Sequence, residues 1–305
     1  MSEQNTEPKS IDRDGDANPY DHSEPLNPGN EAQRWVQRND TRVERVVSLL
    51  EDNLGVPRHP GERNALQVLV LTILSQNTND PNALRAYERM IEAFPPETDG
   101  DFSRILPRDE DGDIDSVALR MSQVADTFPS PEWDRVRTAD SEELEDAISV
   151  CGLQQSKAAT IQRSLEWVHS RYGEYNLEEL LDEYDDPYEV ARALSDIKGI
   201  GIKTAAVTLL EADRVDLCPV DTHVHRICQR LRLVEPSSSR KKTFRELQPL
   251  IPNKKGHSLH HNLLTFGRTI CTARDPDCEN CFLQSICHYY RCEENGEDRR
   301  LKFAE

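Results

Sequence analysis

The chain has 305 residues, enough to bury a sizeable core in one large domain or two modest ones. Its formal net charge is −19 and its pI is about 4.9, a balance that usually argues against a nucleic-acid partner. No apolar run has the length of a membrane span, and the polar, acidic first 30 residues lack the features of a secretory signal. We therefore expect a cytoplasmic protein whose cysteines do not form structural disulfides.

The negative charge is concentrated in the first part of the chain. Residues 1–195 carry a balance of −22, whereas residues 196–305 carry +3 and are compatible with a polyanion. Lysine is scarce, with nine lysines against 28 arginines. This composition is typical of proteins from a salt-loving cytoplasm, where acidic surfaces keep proteins soluble.

The hydrophobic pattern predicts an all-α fold. Residues 1–35 are polar and rich in Pro, Gly and Asp, which predicts a disordered leader, and the similar stretch at 95–140 predicts a surface insertion with at most one short helix. Apolar residues at helical spacing, separated by Gly, Pro and Asn, predict helices at 42–54, 64–72, 81–94, 141–150, 156–171, 177–182, 188–194, 204–210, 222–233, 241–250 and 256–270.

A glycine-rich turn precedes an apolar helix in the stretch DIKGIGIKTAAVTLL. Gly199 and Gly201 join two helices, and the free N–H groups at the start of the second helix favour a grip on a phosphate of DNA. Lys203 lies in the first turn of that helix, where it is either a solvated residue or a group placed to react.

Asp221 stands at the expected start of a helix in the stretch CPVDTHVHRICQRL. Aspartate is a preferred N-cap residue and stabilises a helix by about 1 kcal/mol in that position. The pattern by itself favours this capping role.

The most specific motif is CTARDPDCENCFLQSIC, in which four cysteines follow the spacing C-x6-C-x2-C-x5-C. Four thiolates this close together select zinc or an iron–sulfur cluster. Zinc sites usually present two tight ligand pairs, whereas this motif has a single C-x2-C pair, so the spacing leaves both metals open. The proposed ligands are Cys271, Cys278, Cys281 and Cys287.

Taken in order, IKGIGIKTA, VDTH and the cysteine spacing resemble endonuclease III, a base-excision DNA glycosylase of the helix-hairpin-helix superfamily. LTILSQNTND at 71–80 and CGLQQSKA at 151–158 are similar to two further motifs of that family, and the resemblance covers residues 41–287. It implies two helical domains with damaged double-stranded DNA between them and a [4Fe–4S] cluster on the four cysteines. We expect a monomer that works on the chromosome.

The resemblance also implies the reaction. Lys203 would attack C1′ of the damaged nucleotide, expel the base and form a Schiff base, after which elimination of the 3′ phosphate nicks the strand. Asp221 would stabilise the charge on the sugar and assist proton transfer. We expect Lys203 to be partly buried at a helix N-terminus, because both features favour the neutral amine. The expected substrates are oxidised pyrimidines.

Flipping a nucleotide out of the duplex leaves a gap that the family fills with a polar side chain. An ungapped match places Asn77 at that position and Gln76 one residue before it, so both are kept as candidates. Lys198 and Thr204, beside the hairpin glycines, are further predicted DNA contacts.

Two other groups of residues are interpreted as structural. His257, His260 and His261 fall at helical spacing that could suggest a metal site, but the family has the same helix without a metal there. The cysteines outside the motif are interpreted as ordinary thiols: Cys151, Cys218, Cys228 and Cys292.

The predicted domains are a helical bundle and a discontinuous cluster domain. The bundle spans 61–214 and contains the hairpin and the insertion at 95–140. The cluster domain combines 36–60 with 215–292, and a tail follows at 293–305.

Two alternative functions match parts of the pattern. A monofunctional adenine-type mismatch glycosylase shares the hairpin, the aspartate and the cysteines but lacks the lysine. A non-catalytic DNA-binding module would use the hairpin for phosphate and the cysteines for zinc, and it would be colourless where an iron protein is brown.

The acidic composition predicts unusual salt tolerance. DNA binding normally weakens steeply with salt through counterion release, and the screening length is only about 3 Å at 1 M salt. We expect activity to persist at high salt because binding relies on short-range contacts in the groove. Excision rates measured from low to molar KCl check this, and a monotonic collapse would contradict it.

Overall fold

The computed structural model describes residues 31–58, 63–96, 129–235 and 237–294. These residues form helices and contain no strand, which confirms the predicted all-α fold. No described helix is both long and apolar enough to span a bilayer. The α-helices are α1 Glu31–Leu54, α2 Ala65–Leu74, α3 Asp80–Ala93, α4 Trp133–Thr138, α5 Ser141–Ala147, α6 Gln154–Tyr172, α7 Pro187–Ser195, α8 Ile202–Glu211, α9 Thr222–Arg230, α10 Arg240–Leu247, α11 Gly256–Thr269 and α12 His288–Glu294. Short 3-10 helices lie at Ser149–Cys151, Leu177–Glu183, Gln248–Leu250 and Gln284–Ile286.

The first helix begins before the predicted end of the leader. Helix α1 starts at Glu31, so residues 31–35, which we predicted to be disordered, are helical. The prediction of disorder rested on the polar composition of this stretch, but its residues Glu-Ala-Gln-Arg all have high helix propensity. The rest of the leader, most of the insertion and the end of the tail lie outside the described residues. In the described end of the insertion, α4 buries Trp133 and Val136.

Helix α2 is the centre of the bundle. All ten of its residues are buried, as the apolar character around its whole circumference requires. It packs against α3, α6 and α8. Helices α4 and α5 cover α6, and α7 packs against α8.

A second group of helices packs around α11. Helix α11 contacts α1 and α9, and α9 also contacts α10. The two groups meet where α8 touches α11, and their buried side chains form one continuous core. The exact domain boundaries stay a prediction.

The turn between α7 and α8 is tightly fitted against α6. Gly199 has φ +107°, and a Cβ on this residue would lie 2.8 Å from Thr160 Cγ2 and closer still to Thr160 Oγ1. Arg163, one turn further along α6, donates from Nε to the Lys198 carbonyl at 2.9 Å. The turn therefore requires glycine at 199 for both its backbone conformation and its contact with α6.

This fit predicts that Gly199→Ala destabilises the protein by about 2 kcal/mol or more, because the new Cβ meets strain and a clash together. Gly201→Ala is the matched control: Gly201 has φ −88° and open space around its Cα, so its cost should stay below about 1 kcal/mol. Urea unfolding of the two variants measures the difference. Equal losses would show that the hairpin does not depend on close contact with Thr160.

Candidate active site and metal centre

Lys203 stands in the first turn of α8, directly after the hairpin turn. Its side chain is exposed and forms no hydrogen bond or ion pair with the described part of the chain. The partial burial that we predicted for Lys203 is therefore wrong for the free protein, because Lys203 lies on the solvent-facing side of the first turn, whereas Thr204 and Ala205 of the same turn are buried. Gly201 precedes the helix without any side-chain cap, so the first N–H groups of α8 remain available to a ligand.

The loop after α2 reaches the same place. Gln76 Nε2 donates to Thr204 Oγ1 at 3.2 Å, which ties this loop to the residue after Lys203. Thr204, predicted to contact DNA, is itself buried and so supports Gln76 instead. Asn77 is exposed and has φ +54°, a left-handed conformation that asparagine tolerates better than most residues. Asn77, rather than Gln76, forms the tip of the loop.

Leu153 is a second projecting residue, and it is not among the site residues predicted from the sequence. It is 59% exposed, one of the two large apolar residues that are exposed in the described chain, and its φ is +54°. It immediately precedes α6. The sequence signal that could have identified Leu153 is an apolar residue between a glycine, Gly152, and a polar residue, Gln154, in CGLQQSKA.

The buried Lys157 holds the two projecting loops together. Its Nζ donates to the carbonyl of Leu74, at the end of α2, at 2.8 Å, and to the carbonyl of Cys151 at 2.9 Å. Asn77 and Leu153 each lie within three residues of one of these carbonyls. One ammonium group therefore sets the spacing of the two loops.

Asp221 is the N-cap of α9, as the sequence predicts. The N–H groups of His223 and Val224 donate to Asp221 Oδ1 at 2.9 and 2.8 Å. Both hydrogen bonds end on Oδ1, so Oδ2 takes no part in the cap. The half-buried carboxylate is held in one orientation and keeps one oxygen for further chemistry.

Two arginines of α9 connect this helix to the segment that carries the cysteines. Arg226 Nη2 donates to the Cys271 carbonyl at 2.8 Å and to the Gly267 carbonyl at 3.0 Å. Arg230 Nη1 donates to Cys271 Sγ at 3.1 Å and to the Thr272 carbonyl at 2.7 Å. The helix that presents Asp221 is thus fastened at its other end to the cysteine segment.

The four motif cysteines line one pocket, together with Arg230 and Phe266. All four are free thiols. Burial raises the pKa of the Cys281 thiol to about 11 and also raises that of Cys287, so thiolates here need compensating positive charge. Arg230 supplies one such charge and bound iron would supply more, and an all-thiolate donor set suits an iron–sulfur cluster. The residues fit the predicted group.

Three cysteines outside this motif are buried free thiols: Cys151, Cys218 and Cys228. Burial raises the pKa of Cys218 well above its usual value and that of Cys228 to about 12, so both remain protonated at neutral pH. The side chain of Cys292 lies outside the described residues. Among the predicted DNA contacts, Lys198 and the two hairpin glycines are exposed.

Comparisons with known proteins agree with this arrangement. Residues 70–253 match the HhH-GPD superfamily base excision DNA repair protein family, and residues 271–287 match the iron–sulfur binding domain of endonuclease III. Endonuclease III of Sulfolobus acidocaldarius is 30% identical over 75% of this chain and 83% of its own length. Endonuclease III of Thermotoga maritima is 28% identical over 80% of this chain and 92% of its own.

Solved structures share the fold. An endonuclease III in a non-covalent DNA complex aligns with a TM-score of 0.57 at 21% identity, covering 84% of this chain and 98% of its own. A thermostable thymine-DNA glycosylase aligns with a TM-score of 0.55 at 16% identity, covering 84% and 97%. The sequence matches and the pocket of four cysteines lead to one conclusion: the chain belongs to the endonuclease III family of the HhH-GPD superfamily of base excision DNA repair proteins, and it carries that family's iron–sulfur site.

Proposed function

We propose that this chain is a bifunctional DNA glycosylase and abasic-site lyase that removes oxidised pyrimidines from double-stranded DNA. The observation that carries the proposal is the position of Lys203, an exposed lysine without a partner in the described chain, beside an uncapped helix N-terminus. An adenine-type mismatch glycosylase needs no lysine here, and a simple DNA-binding module needs neither Lys203 nor the spare oxygen of Asp221.

The hairpin supplies the grip on the DNA backbone. The uncapped N–H groups at the start of α8 and the exposed Lys198 would bind a phosphate next to the lesion. Such contacts carry no sequence information, which suits an enzyme that must find a lesion in any sequence. They would also place the sugar of the damaged nucleotide beside Lys203.

Bound DNA would supply the desolvation that the free protein lacks. An ordinary lysine is deprotonated in only about one molecule in a thousand at pH 7. Covering Lys203 with DNA would exclude water from the amine and bring it against C1′, where it must lose its proton before it attacks. Oδ2 of Asp221, free of the helix cap, would accept a proton and stabilise positive charge on the sugar.

The chemical steps conserve atoms and charge. The Lys203 nitrogen forms a bond to C1′ as the glycosidic bond breaks, and the base leaves with its bonding electron pair and takes up a proton. The attached nitrogen gives up a proton to Asp221 Oδ2. Opening of the sugar ring gives the Schiff base. Loss of a C2′ proton then breaks the C3′–O bond and releases the 3′ strand, and water finally hydrolyses the imine to free Lys203.

Asn77 and Leu153 would occupy the gap left by the flipped nucleotide. Asn77 can hydrogen-bond to the orphaned base, and the exposed Leu153 can press between base steps as an apolar wedge. Because Lys157 binds both loops, the two side chains would keep a fixed spacing as they enter the duplex.

A [4Fe–4S] cluster would be held by Cys271, Cys278, Cys281 and Cys287, and when bound it would order the segment around it rather than react with DNA. Arg226 and Arg230 would transmit that order to α9 and Asp221. We further propose that the protein acts as a monomer on chromosomal DNA in the cytoplasm.

Borohydride trapping on a duplex with an abasic site tests the role of Lys203. The native protein should form a covalent adduct, and Lys203→Ala should lose it, with strand nicking reduced by at least about 1,000-fold. Lys198→Ala is the matched control, since it removes an exposed lysine of the same hairpin and should keep the adduct while weakening binding. An adduct that survives in Lys203→Ala would assign the Schiff base to another amine.

The tip of the α2–α3 loop gives a second test. Asn77→Ala should lower excision of thymine glycol from a duplex about 10-fold, because the gap opened by flipping is no longer filled. Gln76→Ala should have a smaller effect on excision, since its side chain binds Thr204 within the protein. Single-turnover excision rates compare the two. A larger loss in Gln76→Ala would make Gln76 the plugging residue.

A further inference from the structure

Three donor side chains from two helices converge away from the cysteine pocket. Glu211 ends α8, and His257 and His261 lie one turn apart on α11. One donor atom from each of the three lies within 4.8 Å of the other two. The hairpin helix and the central helix of the second group meet at this point.

The three side chains have the geometry of a metal site. His261 Nε2 and Glu211 Oε1 are 2.9 Å apart, and the rings of His257 and His261 are 4.4 Å apart between centroids. Histidines at positions i and i+4 of a helix face the same way, as in helical zinc-binding motifs. Ligands of a tetrahedral zinc ion lie about 3.4 Å apart for bonds of about 2.1 Å, so small rotations would suffice.

The surroundings favour ligation over an ordinary surface pair. His257 is 4% exposed and the Glu211 side chain 17%, so the donors are shielded, while His261 at 31% leaves one side open to solvent. The cluster is therefore shielded on the protein side and reachable from solvent at His261.

A guanidinium and a third histidine border the three donor side chains. Arg63 faces the other carboxylate oxygen, Oε2, at 3.9 Å and donates to the Glu211 backbone carbonyl at 3.2 Å. His260 points away and bonds the Pro219 carbonyl through Nδ1 at 3.0 Å.

We propose that Glu211, His257 and His261 form a second metal site, separate from the four cysteines, that binds a divalent zinc-like ion with two nitrogens and one oxygen. Imidazole and carboxylate ligands suit such an ion, and water would complete its coordination. The ion would fasten α8 to α11 and so lock the two groups of helices together. It would not take part in base excision, because Lys203 lies at the opposite end of α8, about 12 Å along the helix axis.

Equilibrium dialysis of the cluster-loaded protein against Zn²⁺, with zinc and iron measured in the same sample, tests this site. The native protein should bind one zinc per chain in addition to its iron, and zinc should raise its Tm. His261→Gln and Glu211→Gln should each weaken zinc binding by at least about 100-fold, the upper end of the range for changes around metal ligands. Both should lose the zinc-dependent rise in Tm.

His169→Gln is the matched control, because it removes a histidine on α6 that stacks on Tyr175, away from the three donors. This variant should bind zinc like the native protein. Co²⁺ difference spectra of the native protein give a reading that needs no variant: ligands from histidine and glutamate produce d–d bands without thiolate charge transfer. Thiolate bands, or zinc uptake that is unchanged in both Gln variants, would overturn the proposal.

Discussion

Two arginines of α9 connect the helix that carries Asp221 to the segment that carries the four cysteines. Arg226 and Arg230 bind backbone carbonyls around Cys271, and Arg230 also reaches its sulfur. The same helix begins at Asp221, whose Oδ1 is fixed by two N–H groups. The aspartate and the cysteine segment therefore belong to one packed unit, and a metal that orders the segment also orders the carboxylate.

The other half of the site rests on packing around the hairpin. Thr160 and Arg163 of α6 support the turn before α8, and Lys157 of the same helix joins the loops of Asn77 and Leu153. Helix α6 thus positions both the hairpin turn that would bind phosphate and the two projecting residues, Asn77 and Leu153. Lys203 itself has no partner in the described chain, which fits a group whose partner is the substrate.

The sequence alone predicted the helical fold class and the cysteine motif, and through the family resemblance it named Lys203 and Asp221 as catalytic candidates. These features are local: the glycine turn, the N-cap at Asp221 and the cysteine spacing each need only neighbours in the chain. The helix periodicity is local too, so most helices matched their predicted ranges within a few residues. The start of α1 was missed because composition outweighed helix propensity at 31–35.

The tertiary structure decided what depends on residues far apart in sequence. It exposed Lys203, which we had placed in a partly buried position, and buried Thr204 beneath Gln76. It also brought Glu211 to histidines that had been interpreted as structural while considered on their own helix. No periodicity encodes such encounters, because side-chain exposure and contacts between residues of different helices arise only when the helices pack. The sequence therefore determined which groups are present, and packing decided which of them meet.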